Sequence, residues 1–405
     1  MSNPHLPPEI LDYILDLLQD DQETLRKCSL VAKPWVSRTR KHLFAKIEFR
    51  SPVTLELWKK TFPDQASSPA QHTRILFIGC VEVVTAADAE QDDWIRTISR
   101  IARSRAHSNP PPRPNYLGVS LVPFHGFSPI LRYLRILSTT LQNSQIFDLI
   151  SSLPLLENLT LGINGIDDNV LNSDVLPTVL RPSTSPALTG ALDLALFKGM
   201  GPIARRLLGL PNGLHFRKLT LSWFYEEDLQ WMIALVAKCS HTLESLGVSF
   251  YSRSTSVTLS RSTCSSPSPV GNSGLTSIDL STATKLENVI FFSTSLNVER
   301  ITLALRTITP GHRDLRQICI HLPYDRVLIS PGVIVRQIIE RAVCDQWLAL
   351  DHVLVQLWGS HSIRSKITYI TSRTEREGID ESMEWLLPET MKRGIIDLVE
   401  RRRSQ

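Results

Sequence analysis

The sequence predicts an α/β fold in which a small N-terminal helical module precedes a long body of repeated strand and helix units. The first 49 residues place apolar side chains at helical spacing, whereas the remainder carries recurrent Leu-x-Leu segments separated by amphipathic helical patterns. At 405 residues the chain also exceeds the ~100–200 residues typical of one domain. We therefore expect a module over residues 1–49 and a separate body over residues 50–405.

The first predicted helix begins at the segment LPPE, residues 6–9. Proline is tolerated in a first helical turn, and an acidic side chain there complements the positive end of the helix dipole. The apolar residues that follow cover a wider face than one buried stripe needs, and they are Ile10, Leu11, Ile14, Leu15, Leu17 and Leu18. Two surfaces of this helix therefore need covering.

Two more short helices are predicted before residue 49. Asp20 precedes Glu23 by three residues, which resembles the capping box that begins a helix. Pro34 ends this second helix and can open a third one. A unit of this size buries too little apolar surface to be stable alone, so it needs a neighbouring domain or a partner.

Three linked segments of the module resemble the F-box motif, and the match covers residues 6–49. The segments LPPEILDYILDLL, TLRKCSLVAKPW and RKHLFAKIEF supply the leucine-proline opening, the LV-x-[KR]-x-W centre and the closing Leu-Phe. Ala32 and Pro34 depart from the commoner small or polar residues beside the tryptophan. The resemblance is to the fungal-type F-box family.

The resemblance implies that the module binds the Skp-type adaptor of a cullin-RING ubiquitin ligase. The residues at matching positions would make the contacts, and they are Leu6, Pro7, Ile10, Leu11, Leu30, Val31 and Trp35. The alternative is that these helices only cap the body and recruit no ligase.

Short segments with a Leu-x-Leu core predict the strands of the body. They are LRYLRIL at 131–137, LENLTLG at 156–162, ALDLALF at 191–197, FRKLTLSW at 216–223, LESLGVSF at 243–250, LTSIDLS at 275–281, LRQICIH at 315–321 and LDHVLVQLW at 350–358. Several equivalent leucines lie 25 or 27 residues apart, and helical patterns lie between the segments. This alternation predicts an irregular leucine-rich-repeat-like solenoid. A doubly wound α/β domain is the alternative.

One stretch of the body, residues 252–274, is rich in Ser, Thr, Pro and Gly and predicts a flexible insert. Around it, strand alternation places Leu219, Leu221, Leu246, Val248, Ile278 and Leu280 in the core. Their neighbours would then line one shared sheet face that binds a target protein, and they are Lys218, Thr220, Ser245, Tyr251, Asp279, His321 and Trp358.

Several function classes lack support in the sequence. The net charge is only +4, and no basic stripe interleaved with aromatics predicts nucleic-acid binding. The six cysteines form no CxxC pair, which favours reduced thiols and no metal or other cofactor. No apolar run reaches the ~18 residues of a membrane span and no secretory signal begins the chain, so we expect a soluble cytoplasmic or nuclear protein without membrane contact.

Catalytic motifs are also missing from the sequence. No G-x-S-x-G or Walker-type motif occurs, and the segment GMGP at 199–202 lacks the third glycine of a dinucleotide fingerprint. The sequence therefore predicts a non-enzymatic substrate-recognition subunit of an SCF-type ubiquitin ligase, with the adaptor and a protein target as partners. A repeat scaffold that works without a ligase is the alternative, and an enzyme with an unrecognised α/β site is a third.

Overall fold

The computed structural model describes thirteen stretches of the chain. They are residues 7–63, 68–79, 130–138, 143–163, 188–196, 200–210, 213–223, 229–250, 277–293, 298–322, 341–361, 363–369 and 383–400. The chain divides into two compact units. Unit 1 comprises residues 1–189 with 210–212, and unit 2 comprises residues 190–209 with 213–405.

Unit 1 begins with three short helices. They are α1 (Pro8–Leu17), α2 (Gln22–Val31) and α3 (Lys33–Leu43). Asp21, rather than the predicted Asp20, caps α2, because its side chain accepts the N–H of Thr24 at 3.0 Å. The prolines act as expected, since Pro8 opens α1 and Pro34 lies in the first turn of α3, where no N–H is needed.

The rest of unit 1 alternates strands with helical segments. The elements are β1 (Lys46–Phe49), α4 (Pro52–Thr61), a 3-10 turn (Pro69–His72), β2 (Ile75–Gly79), β3 (Tyr133–Ser138), α5 (Asn143–Ser151) and β4 (Asn158–Ile163). The four strands are parallel, and each pairs with the next one along the chain.

Unit 2 continues the same alternation. The elements are β5 (Ala191–Leu196), α6 (Met200–Leu208), β6 (Lys218–Trp223), α7 (Leu229–Cys239), β7 (Ser245–Phe250), β8 (Asn288–Ser293), α8 (Val298–Arg306), β9 (Gln317–Leu322), α9 (Arg341–His361), β10 (Arg364–Tyr369), α10 (Pro388–Lys392) and β11 (Ile396–Glu400). All described strands of unit 2 are parallel and pair in chain order from β5 to β11. The chain is therefore mixed α/β, as the sequence predicts, and its described strands are parallel.

The residue just before each strand fixes the register by a repeated backbone pattern. The carbonyl of Arg217 accepts the N–H groups of Glu244 and Ser245, the first residues of the next strand segment. The carbonyls of Gly190, Glu244 and Glu287 do the same in unit 2, and those of Ala45, Arg74 and Arg132 do so in unit 1. Consecutive strands thus begin at the same level, although the number of residues between them varies.

Two columns of apolar side chains form the core face of unit 2. Leu219 pairs with Leu246, which pairs with Val289, and all three are fully buried or nearly so. The second column, two residues further along each strand, consists of Leu194, Leu221, Val248, Phe291, Ile320 and Ile367. The residues between these columns are mostly polar or small, so only one face of the strands is strongly apolar.

Two predicted strands are wrong. Residues 277–280 form no strand, since the N–H of Leu280 bonds to the Thr307 hydroxyl at 2.8 Å and its carbonyl oxygen lies 2.8 Å from His312 Nε2. The strand of that repeat is β8 instead. The segment LDHVLVQLW lies within α9, because Trp347, Leu350 and Leu354 recur at helical spacing, and β10 follows as the strand.

The predicted insert at 252–274 lies outside the described residues, so its flexibility stays a prediction. The division at residue 49 also stays a prediction. Within the described ranges, none of the helices combines the length and the apolar character that crossing a membrane requires.

Candidate functional site

An apolar stripe runs along the exposed side of α1. Ile10, Tyr13, Ile14 and Leu17 recur at the three- and four-residue spacing of one helix face, and all four are exposed. Leu17 is 68 % exposed. The opposite side of the helix carries Leu15, which is buried. α1 is therefore apolar on two sides, and the described residues cover only one of them.

The end of α2 exposes a second apolar pair. Leu30 is 87 % exposed and Val31 is 69 % exposed, which are high values for side chains of this kind. Leu25, on the same helix, is completely buried and holds α2 in the module. Both residues of the exposed pair belong to the LV-x-[KR]-x-W segment of the sequence.

The residues predicted to bind an adaptor differ in exposure. Ile10, Leu30 and Val31 present their side chains to solvent, as does Pro7 at the start of α1. Leu11 and Trp35 are half-buried, so they also contribute to packing within the module. Leu6 lies outside the described residues.

The sequence prediction did not select three members of the α1 stripe, which are Tyr13, Ile14 and Leu17. The signal was present, because the apolar face of this helix is wider than its buried contacts require. The positions that match the motif are therefore fewer than the exposed apolar residues of the helix face.

A polar cluster holds α1 against α3. Arg38 on α3 donates from Nε and Nη2 to the two carboxylate oxygens of Asp16 on α1, and His42 Nε2 lies 2.7 Å from Asp16 Oδ1. The hydrogen bonds from Arg38, with a smaller contribution from His42, lower the pKa of Asp16 to about 2. The carboxylate is therefore ionised over the physiological pH range, and it fixes the angle of the exposed stripe relative to α3.

An aromatic cluster links α3 to β1 and α4 in unit 1. The Trp58 ring lies 6.0 Å from the ring of Phe44, 5.7 Å from that of Phe49 and 4.6 Å from that of Phe62, measured between centroids. Aromatic pairs at these distances and tilted angles stabilise beyond simple burial. The end of α3 is thus packed on the first strand instead of being joined to it by a loose connection.

Comparison with known proteins gives no assignment. No protein-family model matches the chain, and no curated protein shows significant similarity to it.

The second predicted surface is the polar face of the unit 2 strands. Lys218, Thr220, Ser245 and His321 do share one face, opposite the two buried columns. His321 stacks on Phe292 of the neighbouring strand, with ring centroids 4.8 Å apart and planes 14° apart.

Two other residues predicted for this face do not join it, and a third, Tyr251, stays a prediction. Asp279 lies in the segment before β8 that forms no strand, and Trp358 lies on α9. Both were placed on the face because their surroundings were interpreted as strands. Tyr251 lies outside the described residues.

Reactive and charged side chains elsewhere in unit 2 have structural roles. Burial raises the pKa of the Cys239 thiol to about 11, so a reactive thiolate is disfavoured. Asp351 is buried on α9 and accepts the N–H groups of Glu389 and Thr390, which begin α10. Gly201 packs against Trp231, where a Cβ would lie 2.7 Å from the indole nitrogen, so close helix packing explains this glycine.

In the part of the chain that the structure describes, no three His, Cys, Asp or Glu side chains form a metal-binding group.

Proposed function

We propose that the chain is the substrate-recognition subunit of an SCF-type cullin-RING ubiquitin ligase. In this proposal α1, α2 and α3 are an F-box module that binds the Skp-type adaptor, and the strand repeats present a surface to a target protein. The exposed apolar side chains of α1 and α2 are the single observation that carries the proposal, and they are Ile10, Tyr13, Ile14, Leu17, Leu30 and Val31.

The energetics of these side chains favour a partner. Burying one Leu or Ile side chain contributes about 1.5–3 kcal/mol, so six exposed apolar residues represent a large free energy that packing among the described residues does not supply. Exposed apolar stripes on soluble proteins commonly mark binding surfaces. The Leu-Pro opening and the LV-x-[KR]-x-W segment, which resemble the F-box, contain or adjoin these same residues.

The geometry of unit 1 supports a rigid adaptor-binding module. Asp16 ties α1 to α3, and the Trp58 ring cluster packs the end of α3 on β1 and α4. The helices that would bind the adaptor are therefore packed on the first strand of unit 1 and are not joined to it by a loose connection.

The repeated strands support the second half of the proposal. Their one-sided apolar pattern is that of a leucine-rich-repeat-like solenoid, in which the polar strand face is commonly the binding surface. The target-binding residues on this face are Lys218, Thr220, Ser245 and His321, and the Phe292 ring stacked on His321 extends them.

The proposal is tested by measuring the affinity of the full chain for a purified Skp-type adaptor. We expect Leu30→Ala and Ile10→Ala each to cost about 2 kcal/mol, as interface anchors do, which is about a thirtyfold rise in Kd. Lys59→Ala is the control, because Lys59 lies on α4, outside the two helices that carry the exposed apolar residues, and pairs with Glu56 in a surface ion pair. Its Kd should stay within about twofold of the parent.

Exposed positions make this test cleaner than truncation of half-buried Leu11 or Trp35, since loss of fold cannot imitate loss of binding. Circular dichroism of each variant confirms that the helices remain. No binding of the parent chain to the adaptor would refute the ligase assignment and leave the repeat scaffold without a ligase as the function.

A further inference from the structure

Two histidines of unit 2 meet at the edge where the strands begin. His215 precedes β6 and His241 precedes β7, and the Nδ1 of His215 lies 3.2 Å from the Nε2 of His241. The ring centroids are 5.4 Å apart and the planes are at 85°. His241 is exposed and His215 is half-buried, so both nitrogens lie near the surface.

The backbone on both sides holds this pair in place. Thr242 donates its hydroxyl to the Phe216 carbonyl at 3.1 Å, which joins the residues next to the two histidines. Beside it, Phe216 and Leu243 are completely buried and anchor the two turns in the core. Gly213 has φ of +72°, a conformation suited to glycine, and it sets the turn that leads into His215. The closeness of the two turns is thus a property of the strand register.

This separation matches the bite of a divalent metal ion. Two imidazole nitrogens bound to one tetrahedral zinc, each at about 2.0–2.1 Å, lie about 3.3 Å apart. We propose that His215 and His241 form a two-histidine clamp for a first-row divalent cation such as Zn²⁺, Ni²⁺ or Cu²⁺. Imidazole is a ligand that all three ions accept, whereas Mg²⁺ and Ca²⁺ prefer oxygen.

The clamp supplies fewer ligands than a structural zinc site. In the described ranges no third His, Cys, Asp or Glu completes it, so the other coordination positions fall to water or to a ligand from another molecule. The clamp is therefore an exchangeable surface site that leaves the fold intact when empty. It is independent of the proposed adaptor binding, which rests on α1 and α2.

The alternative is a simple hydrogen bond, in which one proton lies between the two nitrogens. Metal binding replaces that proton and turns both lone pairs toward a common point. The two interpretations predict opposite responses to added metal.

The experiment measures the rate at which diethyl pyrocarbonate modifies each histidine of the full chain, resolved by mass spectrometry, with and without Zn²⁺. We expect saturating Zn²⁺ to slow the modification of both His215 and His241 about tenfold or more, because ligation occupies the reactive nitrogen. His352 is the internal control, since it is exposed on α9 and has no place in the clamp. Its rate should not change.

Calorimetry with Zn²⁺ then tests the chelate. His215→Ala and His241→Ala should each weaken the site about tenfold or more, and the double variant should bind one zinc ion fewer than the parent. Equal modification rates with and without Zn²⁺, or protection of only one of the two histidines, would overturn the clamp and leave a hydrogen bond. The modification measurement uses the unaltered chain, so it decides the matter even if a variant folds poorly.

Discussion

Some leucine side chains are exposed on the N-terminal helices, whereas the described leucines on the strands of unit 2 are buried. Leu17 and Leu30 on the helices are largely exposed, whereas Leu219 and Leu246 on the strands are buried to within about one per cent. Both regions carry regular apolar patterns, one at helical spacing and one alternating. The difference is that the strand pattern finds its complement in the next repeat, while the helix pattern extends beyond what α3 can cover.

The same contrast holds for buried charge. Asp351 in unit 2 is 4 % exposed and accepts backbone N–H groups, so it stabilises the start of α10 inside the unit. Asp16 on α1 has a side chain that is 39 % exposed and is bonded to Arg38 and His42. Asp351 therefore belongs to the core, whereas Asp16 orients an exposed surface. Substitutions of the buried and exposed leucines and of these two aspartates should distinguish residues that stabilise the fold from residues that serve binding.

The largest effect is expected for Leu246→Ala in unit 2. Leu246 is completely buried between Leu219 and Val289, so the substitution removes apolar contacts and leaves a cavity. We expect a loss of about 2–5 kcal/mol in the free energy of unfolding, measured by urea denaturation. Leu348→Ala on α9 is the control in the same unit, because Leu348 is 47 % exposed. Equal effects of the two substitutions would show that the strand columns are not the core.

Asp351→Ala should have the next largest effect. The side chain caps α10 from a different helix, and its removal leaves the N–H groups of Glu389 and Thr390 without that acceptor. We expect about 2–3 kcal/mol of local destabilisation, seen as faster amide hydrogen exchange over residues 388–400. Asp351→Asn keeps one acceptor oxygen and should lose about half as much. Unchanged exchange in the alanine variant would contradict the capping role.

Sequence alone identifies most of the architecture, because its two periodicities are strong. Six of the eight predicted strand segments contain strands, and α5 to α8 fall on the helical patterns between them. The missed strand, β8, begins inside the segment Leu286-Glu287-Asn288-Val289, which resembles Leu156-Glu157-Asn158-Leu159. This strand lacks the Leu-x-Leu pattern, because Val289 and Phe291 fill its two core positions.

The other errors come from partners that sequence does not show. Leu280 alternates with Ile278 as a strand would, yet Thr307 and His312 satisfy its backbone groups. At the N-terminus, Asp20 and Asp21 offer equivalent caps, and only the helix start at Gln22 selects Asp21. The helical pattern shows that the apolar face of α1 is wider than one buried stripe needs. Only the structure shows which apolar residues of that face are exposed.

A smaller effect is expected for Asp16→Asn, which weakens the attachment of α1 to α3. Hydrogen bonds between charged groups contribute about 1.5–3 kcal/mol, and partial exposure screens them, so we expect about 1 kcal/mol. The variant should show faster hydrogen exchange in α1 and a lower Tm. Its adaptor affinity should also fall, because the apolar stripe loses its fixed orientation.

The pH dependence provides the check on Asp16. Its pKa is lowered from 3.8 to about 2, so its contribution to stability is complete above pH 3.8 and is lost as the pH falls toward 2. The Tm difference between parent and Asp16→Asn should therefore be constant near neutral pH and vanish in that acidic range. A difference that persists at pH 2 would mean that the carboxylate charge is not what holds the helices.

The smallest effect on stability is expected for Leu30→Ala. A small effect would show that this leucine is not needed for folding. The side chain is 87 % exposed near the end of α2, so truncation removes few contacts, and alanine is at least as good a helix former as leucine. The free energy of unfolding should change by less than about 0.5 kcal/mol, measured by the same urea denaturation as Leu246→Ala. A leucine that contributes nothing to folding yet strongly affects adaptor binding has its function outside its own chain. If Leu30→Ala instead destabilises the chain by 2 kcal/mol or more, as buried leucines do, then α2 packs against the chain itself and the helices cap the repeats.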